Sequence, residues 1–122
     1  MLVVDDSTVV RKILVMTLRQ TRAFCRATVD EAGNGALALT RLADNRYDLV
    51  LADVRMPHVD GLEMVRRLRT EIGDTETPVF LISTLGSEAD VQRGLDAGAT
   101  AYIRKPLSPH AVMKAIEKHF GR

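Results

Sequence analysis

Residues Leu49-Val50-Leu51-Ala52 form an unbroken apolar run that ends on Asp53. A half-exposed strand would alternate apolar and polar residues. Continuity over so short a run instead predicts a strand buried on both faces, as in a parallel sheet with helices above and below. Met56-Pro57 and Asp60-Gly61 follow, so the chain turns away directly after the carboxylate. A carboxylate at the carboxyl end of such a strand lies where open α/β sheets place their ligands. Taken alone, Asp53 is better explained as the first residue of a loop.

The same grammar recurs along the chain. Leu2-Val3-Val4 is a short apolar run closed by Asp5-Asp6, and Ser7 or Thr8 can cap the helix that follows. Val10, Ile13, Leu14 and Thr17 recur at helical spacing, with Arg11, Lys12 and Arg19 on the surface, and the pattern fades near residues 20–22. Residues 26–32 predict a weaker second strand, and Asn34-Gly35 a turn. Residues 36–44 predict a helix with Leu39, Leu42 and Ala43 inward, and residues 47–52 the third strand. Leu62, Val65, Leu68 and Ile72 mark the next helix, whose Arg66, Arg67 and Arg69 form a solvated face.

Pro78 opens a fourth strand over 79–82 that ends on Ser83-Thr84. Ser87 caps a helix with Glu88 and Asp90 in its first turn and a thin apolar face, mainly Val91 and Leu95. Ala97-Gly98-Ala99 stops it, a fifth strand runs over 101–104, and Lys105-Pro106 follows. Ser108 caps the last helix, with Pro109 at its first position and Val112, Met113, Ile116 and Phe120 inward. Strict β-α alternation predicts an α/β fold with a doubly wound five-stranded parallel sheet, one (βα)5 domain over residues 1–122. Right-handed crossovers put the carboxyl ends of all strands on one edge.

Composition narrows the functional classes. The 122 residues suffice for one domain with a core. With 17 basic and 16 acidic residues the net charge is +1, which gives no electrostatic footprint for direct nucleic-acid binding. No apolar run reaches membrane-spanning length, and the first one stops at Asp5, so neither membrane insertion nor a signal peptide is expected. The single cysteine, Cys25, fits a reducing cytoplasm. His58, His110 and His119 show no metal-ligand spacing.

The predicted edge gathers Asp5, Asp6, Asp53, Ser83 and Lys105 from four different strands. Three packed carboxylates repel one another unless a cation lies between them, and an all-oxygen set suits Mg²⁺. Lys105 can bind a phosphate oxygen as a point charge, and Ser83 can donate a hydroxyl to another. One carboxylate then remains as nucleophile, as in aspartyl-phosphate chemistry. Each piece also has a plainer explanation: a helix-capping acid pair, a strand-end hydroxyl, a solvated lysine. The joint pattern is more specific than any of these.

These residues carry a resemblance. Val3-Val4-Asp5-Asp6-Ser7, Asp53 followed by Met56-Pro57 and Asp60-Gly61, Pro78 leading to Ser83, and Ala97-Gly98-Ala99 leading to Tyr102 and Lys105-Pro106 are similar to the marks of the receiver domain of two-component response regulators. The resemblance covers the whole chain and implies a flavodoxin-like, CheY-like fold. It implies a signalling switch in a phosphorelay, chemotaxis among the settings, that assists its own phosphorylation and dephosphorylation rather than acting as an enzyme on a separate substrate. Asp53 would accept phosphate from a histidine kinase or phosphotransfer protein. Asp6, Asp53 and the backbone carbonyl of Arg55 would ligate Mg²⁺, with Asp5 acting largely through water. Lys105 and Ser83 would bind phosphoryl oxygens. Tyr102 would be the switch aromatic that follows Ser83, and the face of the fourth helix, fifth strand and fifth helix would meet an output protein or effector domain.

Three side chains depart from the commonest pattern. Thr84 stands where the family usually has Ala or Gly, which implies a tighter pocket. Arg55 and Leu85 occupy positions flanking the approach of a hydrolytic water, and an apolar Leu85 beside a long Arg55 implies a long-lived phosphorylated state. The stretch 22–26 is longer than in the chemotaxis regulator. With the sequence ending at Arg122, a regulator acting alone and a piece of a larger protein are both open. Other readings also stand: a phosphatase of the haloacid dehalogenase type, which would need an Asp where Arg55 stands; an FMN-binding flavodoxin, whose phosphate Asp5-Asp6 would repel; and a degenerate receiver that only binds partners.

Overall fold

Alternation along each central strand sorts the core into two layers. In the computed structural model, which describes residues 1–22, 24–56, 58–84, 86–104 and 108–120, the strands are β1 (Leu2–Val4), β2 (Asp30–Ala32), β3 (Val50–Asp53), β4 (Val79–Ser83) and β5 (Ala101–Arg104). They form one parallel sheet in the order β2-β1-β3-β4-β5. Leu2, Val4, Val50, Ala52, Val79 and Leu81 face one side; Val3, Leu49, Leu51, Phe80 and Ile82 face the other. Both sides are covered, which is why the runs are continuous rather than alternating.

The helices are α1 (Thr8–Arg19), α2 (Gly35–Asp44), α3 (Gly61–Arg67), α4 (Glu88–Asp96) and α5 (Pro109–Phe120). The residues of α2 and α3 pack on the first side with Met64, Val65 and Leu68, while Leu14 and Leu18 of α1 and Val112 and Ile116 of α5 pack on the second. Caps define the helix starts. Ser7 Oγ accepts from the Val10 N–H at 3.3 Å, Asn34 Oδ1 from Leu37 at 2.8 Å and Asp60 Oδ1 from Glu63 at 2.8 Å. Ser87 and Asp90 make a reciprocal capping box.

Several expectations shift. The second strand pairs only over Asp30–Ala32, and before it the Ala27 N–H bonds back to the Phe24 carbonyl. Ala43 is exposed; Ala38 takes its inward place. Ile13 is more than a third exposed while Leu18 is fully buried. Stretch 22–26 is tied down on either side of Ala23, which lies outside the described residues. Thr21 Oγ1 donates to Leu18 O and accepts from Phe24 N–H, and the Phe24 ring meets Phe120 edge-on at 5.1 Å.

The third helix does not run evenly to Ile72. It gives way to a π turn over Leu68–Ile72, closed by Gly73 in the left-handed region at φ 81°. Arg69 is not on a solvated face. Its guanidinium donates to three carbonyls, those of Gly98 at 3.0 Å, Asp74 at 3.1 Å and Thr77 at 2.7 Å. Arg66 and Arg67 behave as expected, pairing with Glu63 and Glu71 at the surface.

Candidate functional site

β1 and β3 are neighbours, so the acids that close their apolar runs arrive side by side. One carboxylate oxygen from each of Asp5, Asp6 and Asp53 lies within 4.8 Å of the others. Asp5 and Asp53 are buried and Asp6 is exposed, so the cluster has a dry floor and an open mouth. Like charges so close, with two of them shielded from water, favour a bound cation, and an all-carboxylate donor set matches the hard, oxygen-seeking character of Mg²⁺.

Local structure aims each acid. The Ser7 N–H donates to Asp5 Oδ1 at 2.8 Å, while the Arg11 guanidinium donates to the Asp5 carbonyl at 2.6 Å and pairs with Glu31 at 3.1 Å. Arg11 is therefore folded down over the end of β1 rather than projecting from the surface as expected. Nothing in helical spacing separates it from its neighbour Lys12, and only the position of β2 beside β1 brings Glu31 within reach. At Asp53 the Arg55 N–H approaches Oδ1 at 3.4 Å, at the long limit of a hydrogen bond. The Val54 N–H donates to the Ile82 carbonyl at 3.0 Å, which locks the end of β3 to β4.

Gly61 explains the Asp-Gly pair after Asp53. A Cβ there would lie 2.4 Å from the Asp53 carbonyl oxygen and 2.9 Å from the Val54 Cα. Only a residue without a side chain lets α3 start this close to the acid-bearing backbone. Between them, His58 sits at φ 66°, the one non-glycine residue in the left-handed region among those described.

The other predicted residues fall as follows. Ser83 ends β4 and is buried; Thr84 beside it is exposed. Arg55 is exposed. Tyr102 lies one strand further out on β5, half-buried, in register with Leu81. It packs against the core layer shared with α2 and α3 and lines a surface groove with Val91, Arg104, Ala111 and Lys114. Lys105 and Leu85, like the motif prolines Pro57 and Pro106, lie outside the described residues.

Comparison with known proteins agrees with this geometry. Residues 1–117 match the family model described as the response regulator receiver domain. The chain is 34% identical over 122 residues to a chemotaxis protein CheY homolog of Campylobacter jejuni, covering 99% of this chain and 92% of that protein. It is 39% identical over 121 residues to a gliding motility regulatory protein of Myxococcus xanthus and 36% identical over 116 residues to the transcriptional regulatory protein ResD of Bacillus subtilis. It spans only 15% and 45% of the length of those two relatives. Among solved structures, the Vibrio cholerae chemotaxis protein CheY4 superposes with a TM-score of 0.84 at 31% identity, covering 96% of this chain and 94% of that one. The receiver domain of the Francisella response regulator 1452 gives 0.85 at 27% identity, covering 99% and 95%.

Proposed function

Since the chain belongs to the response regulator receiver domain family, we propose that it is a signalling switch whose phosphoacceptor is Asp53. The observation that carries this reading is the convergence of Asp5, Asp6 and Asp53 at the ends of two adjacent buried strands, with Ser83 at the end of the next. Asp53 is buried and ends the central strand, so an incoming phosphoryl group meets it at the floor of the cluster.

In the transfer, an Asp53 carboxylate oxygen attacks the phosphorus of a phosphohistidine. An O–P bond forms, the N–P bond breaks, and the imidazole leaves with its electron pair and is protonated. Asp6, Asp53 and the Arg55 carbonyl would hold Mg²⁺, with Asp5 oriented behind them by the Ser7 N–H. The ion would neutralise charge between the acids and the phosphoryl oxygens. Ser83 is the hydroxyl donor for one of those oxygens, and Lys105, by its place in the family motif, the cation for another. Moving a two-state switch from 1:99 to 99:1 takes about 5.5 kcal/mol, and charge-assisted hydrogen bonds supply roughly 1.5–3 kcal/mol each. Two such bonds, at Ser83 and Lys105, come to about 3–6 kcal/mol and so supply most of that bias. The partners are a histidine kinase or phosphotransfer protein on the input side and an output protein or effector domain on the other. Residues 1–122 act in this as one receiver domain, with its place of action the cytoplasm. Arg55, exposed two residues after Asp53, tunes access of water together with Leu85, the latter assigned by its place in the family motif alone, and Thr84, exposed beside Ser83, makes the pocket tighter.

The test is direct. Acetyl phosphate with Mg²⁺ should add one phosphoryl group to the wild-type chain and none to Asp53→Asn, read by intact mass. Equal labelling of both proteins would remove Asp53 as acceptor.

A further inference from the structure

The residue of α4 that touches the core is a glycine. Among the nine residues Glu88–Asp96 only Gly94 is buried; Leu95, the largest apolar side chain of the helix, is 40% exposed. A Cβ at position 94 would lie 2.8 Å from Cδ2 and 3.1 Å from Cε2 of Tyr102, and 3.3 Å from Cδ1 of Leu81. The Tyr102 ring therefore occupies the space a methyl group would need, directly against the helix backbone. Glycine is the poorest helix former after proline, and its φ here is not in the left-handed region, so no backbone requirement explains it. The close approach of the ring does.

We propose that Gly94 is the positioning residue for Tyr102. It seats the ring against the backbone of α4, so that ring and helix can only move together. That this movement reports phosphorylation rests on the functional reading above; the seating itself does not. Ridding the seat of its space has a definite consequence. With a methyl group at 94 the ring must leave, and the open direction is the groove lined by Val91, Arg104, Ala111 and Lys114. The helix then keeps its place while the aromatic is displaced toward solvent, and the two are uncoupled.

The test is a two-by-two set: wild type, Gly94→Ala, Tyr102→Ala and the double variant. If the methyl group is unfavourable only because the ring is there, its effect on melting temperature must reverse sign between backgrounds. Gly94→Ala should lower Tm by several degrees in the wild type. In the Tyr102→Ala background it should raise Tm by about 3–5 °C, the value of Ala over Gly in a helix for a domain of this size. The same sign in both backgrounds overturns the proposal. A second readout uses the chain's two tyrosines. Tyr47 is buried, its hydroxyl donates to Asp30 at 2.6 Å, and burial with that bond pushes its phenol up to about 12. Nitration by tetranitromethane, mapped by peptide mass, therefore reports Tyr102. It should run faster in Gly94→Ala than in wild type. It should respond to acetyl phosphate and Mg²⁺ in wild type but not in Gly94→Ala; an equal response in both overturns the coupling. Intact mass is recorded in parallel, so a wild type that takes up no phosphoryl group is seen as failure of the functional reading, while the melting set still decides on the seat.

Discussion

At the scale of single residues, the loop between Asp53 and α3 holds an avoidable cost. His58 sits at φ 66°, where a side chain with a Cβ is disfavoured by about 1–2 kcal/mol and Gly or Asn is tolerated. His58→Asn should raise stability by a few tenths to about 1 kcal/mol, measured by urea unfolding; Asn is the cleaner variant because Gly also loosens the unfolded chain. A lower midpoint for His58→Asn would mean that the imidazole holds the turn. The chain showed its acids far better than it showed this turn. Asp5, Asp6 and Asp53 each close or follow an apolar run, so their place at strand ends could be read directly. The backbone angle at 58 leaves no mark in the sequence, because histidine is compatible with almost any loop. Arg11 was hidden for a related reason: its partner Glu31 is twenty residues away and becomes a neighbour only when β2 lies beside β1.

At the scale of elements, the connection from α3 to β4 is held by one arginine and one aspartate. Arg69 bonds the carbonyls of Gly98, Asp74 and Thr77. Asp74 accepts from the N–H groups of Glu76 and Thr77 at 2.9 Å each and from the Thr77 hydroxyl. Arg69→Ala should therefore cost about 2–3 kcal/mol by denaturant titration, since it strands part-buried carbonyls as well as removing bonds. A cost near zero would show that water replaces the guanidinium. The pH dependence follows from Asp74. Burial alone would raise its pKa, but the Thr77 hydroxyl, the two N–H groups and Arg69 outweigh that and hold it below the usual carboxylate range. A depressed carboxylate contributes its stability above the unfolded value of about 3.9 and loses it as pH falls through the lower, folded value. The Tm gap between wild type and Asp74→Asn should thus be constant near neutrality and begin to narrow as pH falls below about 4; a gap that stays constant or widens on acidification would contradict this. None of this was legible beforehand. Arg66, Arg67 and Arg69 look alike in a helical pattern, and only the return of the 73–78 loop and of Gly98 decides which one is enclosed.

At the scale of the whole molecule, the alternation of apolar runs with helical periodicities was enough to read the sheet, because each central strand is buried on both faces. Metal binding should act at this scale too. With the three acids so close, Mg²⁺ at a hundredfold excess over its dissociation constant should add about 2.7 kcal/mol to folding stability. Asp6→Ala should lose most of that rise in melting temperature, and an undiminished rise would remove Asp6 as a ligand. Coverage of the sheet is uneven, however, and α4 is the element least sunk into it. One end of it is pinned nonetheless. Past the Ala97 cap, the Gly98 carbonyl is grasped by Arg69, and the Gly98 Cα is packed so tightly that a Cβ would lie 2.7 Å from the Arg69 Cγ. A helix fastened at its tail and seated along its length only at Gly94, on a ring that moves with it, is a lever with its fulcrum at Gly98. Nine residues make an arm of about 13 Å, so a tilt of about 10° carries the Ser87 end through roughly 2 Å while Asp96 hardly stirs. Amide exchange along the helix should record that arm, fastest beyond the capped first turn and slowest toward Ala97. A flat profile would mean that the helix shifts as a block.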